Sequence, residues 1–191
     1  MFEIRIHGRG GQGVVTAAEL LSVAAFRDGR EPQAFPSFGS ERMGAPVVSF
    51  CRIGDTPIRV REPVATPDAV IIVDATLLHH VDVFAGLKPD GYVLINSSHS
   101  LDELGLAELR ERHGAARTRT IAASELARDH TGRPLPNVCL LGGFAALTDA
   151  VTLDAVEQAV RERFRESIAN ANIAAARAAF EAIRSEVPAH A

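Results

Sequence analysis

Residues 2–13 read FEIRIHGRGGQG, and this opening stretch carries the clearest signal of the fold class. Apolar and polar residues alternate over 2–7, a pattern typical of a strand. Glycines then turn the chain directly into a long apolar stretch, residues 14–26, which predicts a helix ended by Asp28-Gly29. The order of strand, glycine loop and helix indicates an α/β architecture.

Two apolar runs further along the chain predict the centre of the sheet. Residues 69–74 and 91–96 are continuous apolar stretches that end in Asp74 and Asn96, as expected of strands buried on both faces. A helical pattern lies between them. The alternation predicts a Rossmann-like, mostly parallel sheet with helices on both faces.

A further strand-like segment, residues 47–53, follows a stretch punctuated by proline and glycine. Gly54-Asp55 is placed where a hairpin turn would connect it to residues 58–60. We therefore expect an antiparallel pair formed by these two segments.

The C-terminal third has helical character throughout. We expect one domain over residues 1–191, with an α/β part over about 1–133 and a helical part over about 134–191. The later predicted elements are a helix that opens at a capping box of Ser100 and Glu103 and runs to 112, a strand over 118–122, a helix over 124–129, a helix over 138–147 capped by Asn137, a helix over 153–164 capped by Thr152, and an alanine-rich helix over 167–185.

The composition is that of an ordinary globular protein. Of the 191 residues 47% are hydrophobic and 23% charged, which excludes the disordered and fibrous classes. The net charge of −4 offers no overall positive field, so we expect neither nucleic acid nor a membrane surface as a partner. The N-terminus lacks a basic region followed by an apolar run, which favours a cytoplasmic location.

Cysteine and histidine are too sparse for a self-contained metal centre. Cys51 and Cys139 stand far apart with no C-x-x-C, which argues against a disulfide scaffold and an iron–sulfur or zinc site in this chain. His79, His80 and Asp82 look metal-like, but adjacent helical residues point about 100° apart, so only His79 and Asp82 share a face. We expect no metal here.

The glycine-rich loop is the first candidate functional segment. Gly8, Gly10 and Gly13 satisfy G-x-G-x-x-G between a predicted strand and a predicted helix, where free N–H groups and Arg9 favour an anion such as phosphate. The acidic residue expected about twenty residues later for a ribose hydroxyl is absent from 33–36. Tight packing of the helix is therefore favoured over dinucleotide binding.

The second candidate segment, residues 35–46, combines apolar, charged and glycine residues in a predicted loop. Phe35, Phe38 and Met43 are suited to fill a partner's pocket, with polar contacts from Glu41 and Arg42 around them. The candidate surface comprises Gly8, Arg9, Gly10, Gly11, Gln12 and Gly13, as a phosphate, coenzyme A or interface loop, together with Ser37, Phe38, Gly39, Ser40, Glu41, Arg42, Met43 and Gly44, as an interface loop facing an active site.

Two polar strand ends are weaker candidates. Asp74 lies where ligands collect, but a carboxylate before a helix is most often its cap. His99 follows Asn96 at the same edge, and histidine is a common acid or base in catalysis, yet no nucleophile or paired carboxylate accompanies it. We expect both positions to be structural, and no catalytic residue in this chain.

Residues 6–21 and 35–53 closely resemble the γ subunit, or domain III, of 2-oxoacid:ferredoxin oxidoreductases. That family's patterns, G-x-G-G-Q-G and P-x-[FY]-G-x-E-R-x-G-A-P, are matched over 8–13 and 36–46. The stretches NVCLLG and NANI, from Asn137 and from Asn170, extend the resemblance over nearly the whole chain.

The resemblance implies one part of a multisubunit enzyme. Such an enzyme decarboxylates a 2-oxoacid (pyruvate or a related acid, including an aryl acid such as phenylglyoxylate) on thiamine diphosphate and magnesium. Electrons pass through [4Fe-4S] clusters to ferredoxin or, through an added flavin subunit, to NAD, and the acyl group goes to coenzyme A. The cofactors would lie in α-, β- and δ-type partner subunits, and the isolated chain would be inactive. The residues agree: the sequence has no Gly-Asp-Gly with Asn-Asn, the signature of a thiamine diphosphate site.

Two other functions remain open from the residues alone. One is a free-standing dinucleotide-binding dehydrogenase, which would bind NAD(H) by itself. The other is a purely structural assembly subunit, which would bind no coenzyme A.

Overall fold

The computed structural model describes residues 1–37 and 43–186. The strands are β1 (Phe2–Arg9), β2 (Glu31–Pro36), β3 (Pro46–Gly54), β4 (Ala69–Ile72), β5 (Tyr92–Asn96) and β6 (Thr118–Ile121). The α-helices are α1 (Val14–Arg27), α2 (Ala107–His113), α3 (Ala123–Thr131), α4 (Asn137–Thr148), α5 (Leu153–Arg163) and α6 (Glu166–Glu186), and a short 3-10 helix covers Ala75–His79.

The six strands form one sheet in the order β2-β3-β1-β4-β5-β6. β1, β4, β5 and β6 are mutually parallel neighbours, and β3 pairs antiparallel with both β1 and β2. Only β3 therefore runs against the other five strands. The predicted mostly parallel sheet is confirmed.

Helices cover both faces of the sheet, as predicted. The larger core lies on one face, where Ile4 and Ile6 of β1 pack with α1 and α3–α6. The smaller core, which includes Ile72 and Ile95, lies under the 3-10 helix and α2 on the other face. The alternation in β1 therefore turns Arg5 and His7 away from the larger core, and Arg5 donates to the carbonyl oxygen of Val83 (3.0 Å).

The predicted hairpin after Gly54 is wrong. Residues 58–60 form no strand, and β3 pairs with β1 and β2 instead. The buried guanidinium of Arg52 explains the difference, because its Nη2 donates to the carbonyl oxygen of Glu62 (2.6 Å) and its Nη1 to that of Val60 (3.4 Å). The hydrogen bonds of these carbonyl groups are therefore made to the side chain of Arg52 and not to the backbone of a neighbouring strand.

The predicted capping box forms, but no helix starts there. Ser100 N–H donates to Glu103 Oε2 (2.7 Å), and Glu103 N–H donates to Ser100 Oγ (3.3 Å). Gly105 then adopts a left-handed φ of 72°, so the turn ends and α2 begins only at Ala107.

Of the two predicted helix caps in the C-terminal third, one is confirmed and the other is wrong. Thr152 caps α5 as predicted, accepting from the N–H of Ala155 (3.1 Å), and α1 ends at Arg27 before Asp28 and Gly29, also as predicted. Asn137 does not cap α4: the helix begins at that residue, and its side chain points to Gly13 instead.

The C-terminal helices pack closely against each other. A Cβ on Gly142 of α4 would overlap the backbone of Ala176 in α6, so glycine is required at this crossing. None of the helices in the described part of the chain has the length and apolarity that crossing a bilayer requires.

Candidate functional site

The glycine loop connects the end of β1 to α1, and its glycines permit three close approaches. A Cβ on Gly8 would lie 2.5 Å from Val14 Cγ2, and one on Gly11 would lie 2.5 Å from Met43 Sδ. A Cβ on Gly13, which has a φ of 73°, would overlap Asn137 Nδ2. These glycines therefore bring β1, α1, α4 and the second loop into contact.

Gln12 fixes the shape of this loop through both ends of its side-chain amide. Its Oε1 accepts from the N–H of Arg9 (2.7 Å), and its Nε2 donates to Asp74 Oδ2 (2.7 Å). The N–H of Gln12 in turn donates to the carbonyl oxygen of Arg9 (3.1 Å). The loop after β1 is thereby tied to the residue that follows β4.

The Arg9 guanidinium is held by three groups within the chain. Its Nε lies 3.3 Å from Asp74 Oδ2, its Nη2 donates to Thr76 Oγ1 (2.8 Å), and its Nη1 donates to the carbonyl oxygen of Gly44 (3.1 Å). A phosphate would have to share this cation with Asp74.

Asp74 caps the 3-10 helix and carries the charge that Arg9 faces. Its Oδ1 accepts from the N–H (2.9 Å) and the hydroxyl (2.6 Å) of Thr76. Burial opposes ionisation of this carboxyl, but hydrogen bonds from Thr76 and Gln12 and the charge of Arg9 outweigh it and lower its pKa. Asp74 is therefore an ionised structural carboxylate, in agreement with its interpretation as a cap.

The two candidate segments lie side by side. Gly10 N–H donates to the carbonyl oxygen of Ala45 (2.9 Å), and Gly44 N–H donates to that of Gly10 (3.1 Å). Met43 lies against Gly11 with 88% of its surface exposed. The structure therefore joins Met43 and Gly44 to the glycine loop in one surface, which we name the two-loop surface.

The remaining members of the second segment have different positions. Ser37 continues from β2 and its N–H donates to the carbonyl oxygen of Val48 (2.9 Å). Phe35 is not a free anchor, because its ring lies 5.1 Å from that of Phe50 and under the guanidinium of Arg52. The predicted contact residues Phe38, Gly39, Ser40, Glu41 and Arg42 lie outside the described residues.

The geometry disfavours a dinucleotide at this loop. The N–H groups of Arg9, Gly10 and Gln12 already donate within the chain. In a dinucleotide-binding fold the second strand lies beside the first and supplies the ribose acid. Here β3 separates β2 from β1, so the end of β2 is one strand too far away.

The cysteines and the sequence-predicted metal candidates do not form a metal site. Burial raises the pKa of both Cys51 and Cys139 to about 12, so both remain thiols. His79 and Asp82 are exposed, and within residues 1–37 and 43–186 no three His, Cys, Asp or Glu side chains are grouped to hold a metal ion.

Asn96 joins three elements at the end of β5, and His99 lies further along the same polar edge. Asn96 Nδ2 donates to the carbonyl oxygen of Val73 (2.9 Å) and to Ser124 Oγ (2.8 Å), which joins β4, β5 and α3. His99 is exposed and lies 4.0 Å from Glu103.

The sequence alone did not single out His7, a buried histidine in β1. His7 is 7% exposed, and burial, followed by the charge of Arg5, lowers its pKa to about 4. The available signal was the alternation in β1, which places residues 5, 7 and 9 on one face.

Comparisons with known proteins agree on one family. The family model described as pyruvate ferredoxin/flavodoxin oxidoreductase matches residues 3–182. The chain is 51% identical over 161 residues to pyruvate synthase subunit PorC of Methanosarcina barkeri, covering 84% of this chain and 85% of that protein. It is 44% identical over 180 residues to the pyruvate/ketoisovalerate oxidoreductases common subunit gamma of Thermococcus kodakarensis, covering 94% and 96%.

A solved structure supports the same relationship. The crystal structure of pyruvate oxidoreductase subunit PORC from Thermotoga maritima is similar with a TM-score of 0.79 and 34% sequence identity. The match covers 94% of this chain and 95% of that one.

Proposed function

The chain belongs to the pyruvate ferredoxin/flavodoxin oxidoreductase family as a γ subunit, and on that premise we propose that it docks onto catalytic partner subunits through the two-loop surface. In this proposal the complete enzyme converts a 2-oxoacid and coenzyme A to acyl-CoA and CO2. The carboxylate carbon leaves as CO2, two electrons pass to ferredoxin, and the acyl group is joined to the coenzyme A sulfur.

We propose pyruvate as the 2-oxoacid. The support is the name of a relative at 51% identity, pyruvate synthase subunit PorC. The relative from Thermococcus kodakarensis is named as a γ subunit common to pyruvate and ketoisovalerate oxidoreductases, which favours substrate selection outside this kind of chain. No described residue favours an aryl 2-oxoacid, or NAD as the acceptor.

The residues of this chain do not fit an iron–sulfur cluster. A cluster needs thiolate ligands, whereas Cys51 and Cys139 are separate, buried thiols with a pKa raised to about 12. We therefore assign the clusters, and the thiamine diphosphate with its magnesium, to partner subunits, and derive no electron-transfer step through this chain.

The observation that carries the proposal is the exposure of Met43 next to the glycine loop. The thioether of Met43 lies against Gly11, and the glycine loop is held in place by the bonds that Gln12 and Arg9 make to Asp74. A large, flexible apolar side chain that is 88% exposed on a fixed surface is suited to enter a pocket of another protein.

A peripheral contact to coenzyme A is a second candidate role for the same surface. The N-cap of α1 is Gly13, which has no side chain that could cap the first N–H groups of the helix, and N–H groups at a helix start favour an anion. Arg9 belongs to the same loop, and a quarter of its side chain is exposed. This role uses only the outer edge of the loop.

The experiment is reconstitution with the partner subunits. Met43→Asp should weaken association at least tenfold, because a carboxylate would be buried in an apolar pocket. Phe26→Asp is the matched control, since Phe26 is also an exposed apolar residue (65%) but lies on α1. Equal association of the two variants and the wild type would contradict the role of the two-loop surface.

A further inference from the structure

A groove of about 460 Å³ lies between the end of α3 and the starts of α4 and α6. Its volume is in the range of pockets that accept small molecules or side chains. The apolar part of its wall is formed by Leu135, Phe164, Ile168 and Ala171. Asn137, Ala171 and Asn172 line the groove as well, and they belong to the two C-terminal stretches that carry the family resemblance.

Two of its wall residues expose large apolar side chains to solvent. Ile168 is 50% exposed and Leu135 is 40% exposed, although α6 otherwise turns its apolar residues towards the core. Apolar side chains that cluster at one concave site, with polar groups around them, are typical of a binding surface.

The groove is flanked by arginines for which the described residues supply no carboxylate partner. Arg133 lines it and makes no ion pair within the described part of the chain. The Arg163 guanidinium lies 5.8 Å from the centre of the Phe164 ring, and Arg161 donates to Asn170 Oδ1 (3.1 Å). This edge is therefore cationic, although the whole chain has a net charge of −4.

Two acids of α5 are engaged elsewhere and do not pair with Arg161 or Arg163. Glu157 binds Arg177 through two short hydrogen bonds, and Glu162 pairs with Arg27. An occupant that supplies carboxylates would therefore meet unpaired guanidinium groups.

Asn137 connects the groove to the two-loop surface. It is 3% exposed and lies in the groove wall, and its Nδ2 makes a long hydrogen bond of 3.4 Å to the carbonyl oxygen of Gly13. Its Oδ1 is buried without a hydrogen-bond partner among the described residues. A buried acceptor of this kind is costly, so the contact between Asn137 and Gly13 is not optimally satisfied within the chain.

We propose that this groove binds an acidic, apolar segment of a partner subunit. An apolar side chain of that segment lies between Leu135 and Ile168, and a flanking carboxylate pairs with Arg133. The inference rests on the proposed function, since it requires that the chain assembles with other subunits. It adds a second contact region, continuous with the first through Asn137 and Gly13.

The experiment compares matched variants in the complete reconstituted complex. Ile168→Asp and Arg133→Glu should each weaken association with the partner subunits at least fivefold, measured by titration in a binding assay. Val60→Asp is the control for the first, because Val60 is 45% exposed in a loop away from the groove. Arg112→Glu on α2 is the control for the second. All four positions are on the surface, so thermal unfolding of each isolated variant should match the wild type.

The outcomes separate this inference from the proposed function. If the wild type assembles and both groove variants assemble equally well, the groove proposal is wrong and the proposed function stands. If the wild type fails to assemble with any partner subunit, both are wrong. If Ile168→Asp changes only the mass of a homodimer, or only the binding of a small anionic amphiphile, the groove has a different occupant and the proposal is overturned.

Discussion

The side-chain amide of Gln12 donates a hydrogen bond to the carboxylate of Asp74 over 2.7 Å, linking residues 62 positions apart. Through this bond the loop that follows β1 is fixed to the end of β4. Because the same amide also accepts from the N–H of Arg9, one side chain determines both the shape and the position of the glycine loop. The surface that carries Met43 depends on this link.

Replacing Gln12 by Ala should destabilise the fold. The change leaves the N–H of Arg9 without its acceptor and removes a donor from Asp74, so we expect a loss of about 1–3 kcal/mol in the free energy of unfolding. Urea titration measures it. Gln158→Ala is the control, because Gln158 bonds to Asp154 on an exposed helix surface and should cost less than about 0.5 kcal/mol. Equal losses in the two variants would contradict the structural role of Gln12.

The free energy of unfolding should decrease as the solution becomes more acidic, because His7 is buried as a neutral imidazole. Its pKa is about 4 in the fold and about 6.5 in the unfolded chain, so the unfolded state binds a proton first. The resulting loss in the free energy of unfolding is absent above pH 6.5 and grows as the pH falls towards 4. It reaches about 3 kcal/mol in order of magnitude. In His7→Gln the free energy of unfolding should depend on pH less steeply over this window, by about one proton. An unchanged slope would show that His7 titrates normally in the fold.

Gly13→Ala should lower the free energy of unfolding more than Gly29→Ala does. Both glycines have a positive φ, 73° and 75°, but only Gly13 has a neighbour, Asn137, where the Cβ would lie. We expect about 1 kcal/mol for Gly29→Ala and roughly 2–4 kcal/mol for Gly13→Ala. In an Asn137→Ala background the cost of Gly13→Ala should fall towards that of Gly29→Ala, since the overlapping amide is gone. Strict additivity of the two changes would contradict the contact.

Both cysteines should resist alkylation in the native state. Burial raises the pKa of Cys51 and Cys139 to about 12, and the thiolate is the reactive form. At pH 8 a maleimide should label neither residue in the folded chain, and both in urea. Rapid native labelling of either thiol would show that it is accessible and would reopen the question of a ligand role.

The start of the fold could be predicted because its signals are local. The alternation over residues 2–7, the glycines and the apolar helix each lie within a few residues of one another, and β1 and α1 follow them closely. Thr152 was predictable for the same reason, since a cap bonds within its own helical turn.

The errors arise where a distant group competes with a local signal. Arg52 binds the carbonyl oxygen of Val60, inside the predicted hairpin strand, and that of Glu62, just beyond it, and the contact of Asn137 with Gly13 spans 124 residues. The bond of Gln12 to Asp74 has no local signature either. Residues 8–13 and 43–44 were therefore identifiable from the sequence as candidates, but only the fold shows that they lie side by side.

We propose that this chain contributes to catalysis only by docking onto other subunits. The most direct measurement is pyruvate- and coenzyme A-dependent reduction of ferredoxin by the partner subunits with this chain, by the same subunits without it, and by this chain alone. We expect turnover only in the complete mixture. Turnover by the isolated chain, or undiminished turnover when it is omitted, would contradict the account.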